Sequence, residues 1–226
     1  MTIPRNLSFL AEGASSTGVL GTANGGTGLS TLGTAGQALV VNSGATGLTY
    51  STPSAGAMTL ISTQTASNSA AIAWTGLTGY DKYKLIIENF VPASNTFIRI
   101  QIGTGSTTYI TSGYYGALAY MISNVGGASL AGSPINNNSS IYFGSYNSIA
   151  TTGSGGSCVI DITNFTNGSD TAMMFNSISL NSAGVTETDV GSAFVYNNST
   201  TKTAIKIFSA SGNILSGTAS LYGISS

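Results

Sequence analysis

From residue 58 onward, apolar and polar residues alternate in short runs. Residues 58–60, 71–74, 83–89, 96–102, 109–115, 141–146, 157–163, 172–180, 193–196, 203–208 and 215–224 each read as a strand, and clusters of Gly, Asn, Ser or Asp separate nearly every pair. In Phe97-Ile98-Arg99-Ile100-Gln101-Ile102 and Ala204-Ile205-Lys206-Ile207-Phe208 the charged residue lies opposite the apolar positions, the pattern of a half-buried antiparallel strand. With no helical period between them, these runs predict an all-β head, an antiparallel β-sandwich of jelly-roll type.

The pattern upstream is different. Pro4 suits the first position of a helix, and Ile3, Leu7 and Leu10 follow at spacings of four and three, which predicts one apolar face of a short N-terminal helix ended by Gly13. Two or three turns are not stable alone in water, so this face is expected to pack on sister chains or in a socket on another protein. Between helix and head runs an extended Gly/Thr-rich collar. Gly25-Gly26-Thr27-Gly28 and Gly44-Ala45-Thr46-Gly47 read as turns flanking one patterned island, Gln37-Ala38-Leu39-Val40-Val41. A lone strand is unstable, so the island is expected to pair with its copies in neighbouring chains, which predicts a homo-oligomer. The chain thus divides into residues 1–20, an attachment segment; 21–57, a collar or tether; and 58–226, the head.

Charge is scarce: 6 basic against 7 acidic side chains among 226 residues provide no row of cations for phosphates, so nucleic acid is not expected as a partner. At 42% hydrophobic residues the chain is also unlike a disordered one, and its 30 glycines with abundant Ser, Thr and Asn leave solubility to hydroxyls and amides. No stretch reaches the ~20 apolar residues of a membrane span, and no apolar leader follows a basic start, so no membrane insertion is expected and the chain is expected to be made and kept soluble in the cytoplasm until it is assembled.

Catalytic residues are not evident. There is no histidine to activate the single cysteine, Cys158, which sits in a strand pattern and reads as a small buried hydrophobe. Glu187 and Asp189 are the only close acidic pair; in the loop-like run GVTETDVGS they read as solvated charges, with a glycosidase pair or a Ca²⁺ site as the sharper alternatives. No Gly-rich turn ends in Gly-Lys-Ser/Thr. No enzyme activity, metal or cofactor is therefore expected. Recognition fits better: Tyr109, Tyr114, Tyr115, Tyr120, Tyr142 and Tyr146 accompany loops of Gly, Ser and Asn, including the 133–140 run SPINNNSS with Asn137. Tyrosine supplies a stiff amphipathic contact face and the small polar residues adaptable hydrogen bonds, a combination suited to uncharged glycans. Trp74, after Ala-Ile-Ala, reads as core.

The opening MTIPRNLSFLAEGASSTGVLG and the following ANGGTGLSTLGTAGQALVVNSGATGLTYSTP resemble the N-terminal and collar segments of bacteriophage tail fibres, especially those of cyanophages and other marine phages, over about the first 55 residues. The run from Trp74 to Phe90 and the closing Ala-Ser-Leu-Tyr-Gly-Ile resemble fibre tips. The resemblance implies a homotrimeric virion protein with N-terminal attachment and a C-terminal receptor-binding tip; combined with the readings above, Ile3, Leu7 and Leu10 are expected to attach it to the tail or baseplate and its head to bind host surface polysaccharide. A capsid decoration protein or head fibre, needing no specific receptor, is the alternative.

Overall fold

The computed structural model describes residues 18–53, 58–124, 127–143, 149–151, 155–166, 169–196 and 200–225. The predicted helix with Ile3, Leu7 and Leu10 lies outside them, as does Tyr146. The chain forms two compact units, Met1–Ala55 and Gly56–Ser226.

In the first unit, a single 3-10 turn at Thr22–Asn24 is closed by Gly25 in the left-handed region (φ 80°). Strands β1 (Ala38–Val41) and β2 (Leu48–Ser51) then form an antiparallel hairpin, with Ala38 opposite Ser51 and Val41 opposite Leu48. The connecting loop is self-supporting: the Asn42 amide donates to Gly47 O, and the Thr46 amide donates to Asn42 Oδ1 at 3.0 Å. This corrects the expectation of a lone island. Its partner lies ten residues on in the same chain, so the island gives no argument for oligomerisation. Leu48 and Tyr50 are too short an alternation to announce a strand before their partner is known.

The second unit is all-β, and no α-helix occurs among the described residues. Its strands are β3 (Met58–Ser69), β4 (Ala71–Trp74), β5 (Lys82–Pro92), β6 (Ile98–Gly103), β7 (Tyr114–Asn124), β8 (Gly127–Asn138), β9 (Ile141–Phe143), β10 (Gly156–Thr163), β11 (Thr171–Leu180), β12 (Thr186–Val195), β13 (Ala204–Ser209) and β14 (Ile214–Ile224). They form an eight-stranded sheet ordered β3-β14-β5-β10-β11-β12-β7-β8 and a four-stranded sheet ordered β4-β13-β6-β9, with every pairing antiparallel. Leu85, Ile87, Ile160, Ile162 and Leu221 of the larger sheet and Ile98, Ile100, Ile102, Ile205 and Ile207 of the smaller belong to one buried cluster. The two sheets therefore share a single core, the layering of a β-sandwich. Each such side chain contributes about 1.5–3 kcal/mol when buried. Trp74 lies in this core with its indole N–H donating to Ser62 Oγ at 2.8 Å, and Cys158 is buried there too, where desolvation holds its thiol pKa well above the usual range.

Three expected loops are strands. The run after Tyr115 continues as β7, the Asn-rich stretch to Asn138 is β8, and GVTETDVGS is most of β12. Glu187 and Asp189 are correspondingly buried and not solvated, and Ser177 Oγ donates to Asp189 Oδ2 at 3.0 Å. Conversely, residues 109–113 are not strand, apart from an isolated bridge between Tyr109 and Gly103.

Candidate functional site

Because antiparallel Cα partners project to the same side, the registers fix what the outer face of the eight-stranded sheet carries. Inward go Cys158, Ser177 and Asp189 in one cross-strand row; outward go Val159, Asn176, Val190 and Ala119 in the next. The outer rows are apolar to an unusual degree: Met174 is 61% exposed, Ile178 53%, Val190 49% and Leu130 71%. Met174, Ile178 and Val190 line an open trough of about 1110 Å³ across β5, β10, β11, β12 and β7.

At one end of this face the aliphatic rows give way to rings. Tyr115 on β7 is the cross-strand partner of Phe194 on β12, and Tyr196 follows Phe194 by two, on the same side. Ring centroids are 5.1 Å apart for Tyr115 and Tyr196, and 6.3 Å for Phe194 and Tyr196, which stack with an interplanar angle of 15°. Phe194 and Tyr196 remain about half exposed. Two hydrogen bonds hold the platform: Tyr196 N–H donates to Gly113 O, and Gly113 N–H donates to the Asn137 side-chain Oδ1, both at 2.9 Å. Gly113 takes φ 83° and Asn137 φ 53°, conformations that glycine and asparagine tolerate best. Beside Phe194 a small cavity of about 270 Å³ is bordered by Asp161, Thr163 and Ser192. Asp161 is ion-paired to Lys84, its cross-strand neighbour. Chemically this is a hydrophobic shelf flanked by two hydroxyls and a fixed carboxylate.

The predicted contact residues fall in different places. Tyr115 belongs to the platform, and Asn137 supports it from behind. Tyr114 is fully buried, accepts a hydrogen bond from Ile102 N at 2.8 Å, and has its hydroxyl pKa pushed up by desolvation; it ties β7 to β6 and is withdrawn as a contact residue. Alternation along β7 explains the split, since Tyr114 and Tyr115 must face opposite ways. Tyr109 is half-buried under Lys206, whose Nζ stands 4.1 Å from the ring centroid. Tyr142 packs on the core near Phe97, its hydroxyl 3.3 Å from Ser133 Oγ. Phe194 and Tyr196 went unremarked in the sequence; the available signal was two aromatics in an i, i+2 pair next to an Asn/Ser/Thr run.

No group of three or more Cys, Asp or Glu side chains suited to a metal occurs among the described residues. Comparison of the chain with protein-family models, curated protein sequences and solved structures gives no match.

Proposed function

We propose that this chain is a short, homotrimeric bacteriophage tail fibre that binds host surface polysaccharide through its head and attaches to the tail or baseplate through its first ~20 residues, by the resemblance of its N-terminal quarter to such fibres. It acts by adhesion, without catalysis, metal or cofactor, and its place is the virion. The observation that carries the binding reading is the Tyr115–Phe194–Tyr196 platform. A pyranose stacks its C–H face on such rings while its hydroxyls reach Asp161, Thr163 and Ser192. Exposed aromatic residues with a polar end are also the side chains that most often anchor recognition surfaces.

We read the head as a jelly roll. In chain order β3, β4, β5 and β6 alternate between the sheets, as do β9 with β10 and β13 with β14. The half-sheets β3-β14-β5-β10 and β4-β13-β6-β9 have the order of a double-sheet jelly roll, to which the hairpins β7–β8 and β11–β12 add four strands.

Adsorption competition tests the function. Purified full-length protein in excess should block phage adsorption to host cells, and the F194A/Y196A protein should not. A folded wild-type protein that leaves adsorption unchanged would favour the capsid decoration or head-fibre reading.

A further inference from the structure

We infer that the aliphatic rows on the outer face of the eight-stranded sheet are the contact between copies of this chain, so that the receptor platform sits at the rim of an interface between heads. The inference deepens the fibre reading and rests on it for the number of copies; the location rests on the sheet itself.

Three successive outward rows make the surface. One holds Ala117, Ser192, Met174, Asp161 and Lys84; the next Ala119, Val190, Asn176, Val159 and Ile86; the third Met121, Thr188, Ile178 and Ser157, with Leu130 beyond Met121. At ~4.8 Å between strands and ~6.6 Å between rows, six strands and three rows cover about 29 by 20 Å, or about 600 Å² before side-chain relief. That lies at the lower end of what one partner contributes to a standard stable interface, about 600–1,000 Å², and at the upper end of the largest apolar patch on a typical monomer, about 300–600 Å².

The chemistry of the rows selects the occupant. Away from Ser192 and Asp161 at the platform end, the branched aliphatics and methionine of these rows offer neither rings nor convergent hydrogen-bond groups for a sugar. They resemble a domain core cut in half, the composition of obligate interfaces between identical chains. Glu88 and Asp161 are the charged residues of the trough, and Asp161 is already paired with Lys84, so apposed copies meet almost no like-charge repulsion.

Methionine footprinting of the full-length protein tests this without disturbing it. Met174 is 61% and Met121 47% exposed in the single chain, whereas Met173 is fully buried. With free methionine in the same tube as reference, dilute peroxide and peptide mass spectrometry should find Met174 and Met121 oxidised about tenfold or more slowly than the reference, close to Met173. In the I178D/V190D protein, shown folded by circular dichroism, Met174 should approach the free rate, and sedimentation should show smaller species unless the N-terminal segments still hold the chains. Oxidation of wild-type Met174 near the free rate overturns the inference, as does protection that survives in the folded variant. Failure of adsorption competition would remove the fibre reading and leave these rates unchanged.

Discussion

Tyr83 places its ring edge-on to Phe165, with centroids 4.8 Å apart, and its buried hydroxyl has no hydrogen-bond partner among the described residues. Desolvation, with smaller contributions from Tyr80 and Asp81, pushes its pKa up to about 12. An unpartnered buried hydroxyl costs about 1–3 kcal/mol, so Y83F should stabilise the head by about 1 kcal/mol in chemical denaturation at pH 8. The pH effect has a definite sign. Below pH 10 the phenol is neutral folded or unfolded; between 10 and about 12 the unfolded chain loses its proton first, so stability falls as pH rises through that window. The fall should be shallower in Y83F but not absent, since the raised pKa values of Tyr114 and Cys158 act in the same direction. Gly191 poses the opposite constraint. It faces inward on β12 opposite Phe175, and a Cβ there would overlap that ring and crowd Ala117 O. G191V should therefore cost about 1–3 kcal/mol, read as a lower denaturation midpoint.

At the scale of elements, the strands legible in the sequence were those with one clean apolar face. β5, β6, β10, β13 and β14 stood out because Ile, Leu, Val and Phe alternate there with polar or charged residues; β11 was the exception, marked by its Met, Phe, Ile and Leu although Thr171, Ser177 and Ser179 are among its buried positions. β7, β8 and much of β12 did not. Their inner positions include glycine, serine and the buried pair Glu187 and Asp189, while their outer positions are apolar, so no contrast between faces survived to mark them. The same inversion hid the candidate site, which needs β7 and β12 side by side, a pairing of residues some 80 apart in the chain. The collar hairpin escaped for want of length. Its loop makes a local prediction: N42A removes the acceptor for the Thr46 amide, and loss of about 1 kcal/mol should raise amide exchange across residues 38–51 about fivefold. Unchanged exchange would mean that the strands themselves, not the Asn42 loop, hold the hairpin.

At the scale of the whole molecule, the near absence of charge becomes a functional property. A head that held anionic polysaccharide by ion pairs would lose it as salt compressed the Debye length from about 10 Å at 0.1 M to about 3 Å at 1 M. With 6 basic side chains in the chain and Lys84 and Lys206 already engaged by Asp161 and by aromatic rings, the proposed stacking contact should hold its adsorption-blocking power over that range within about twofold. Uncharged contacts are individually weak, however, and must be multiplied. Three platforms on one fibre turn the second and third binding events into intramolecular ones, raising avidity by about 10²–10⁴ when the geometry allows simultaneous engagement. The I178D/V190D protein keeps every residue of the platform, so if it dissociates to single chains it should still bind the host surface but need about a hundredfold more protein to block adsorption. F194A/Y196A should show the complementary loss: intact assembly, with no block at any concentration tested. Equal blocking by the dissociated and assembled forms would mean that one platform suffices, and that the assembly serves the virion's architecture and not its grip on the host.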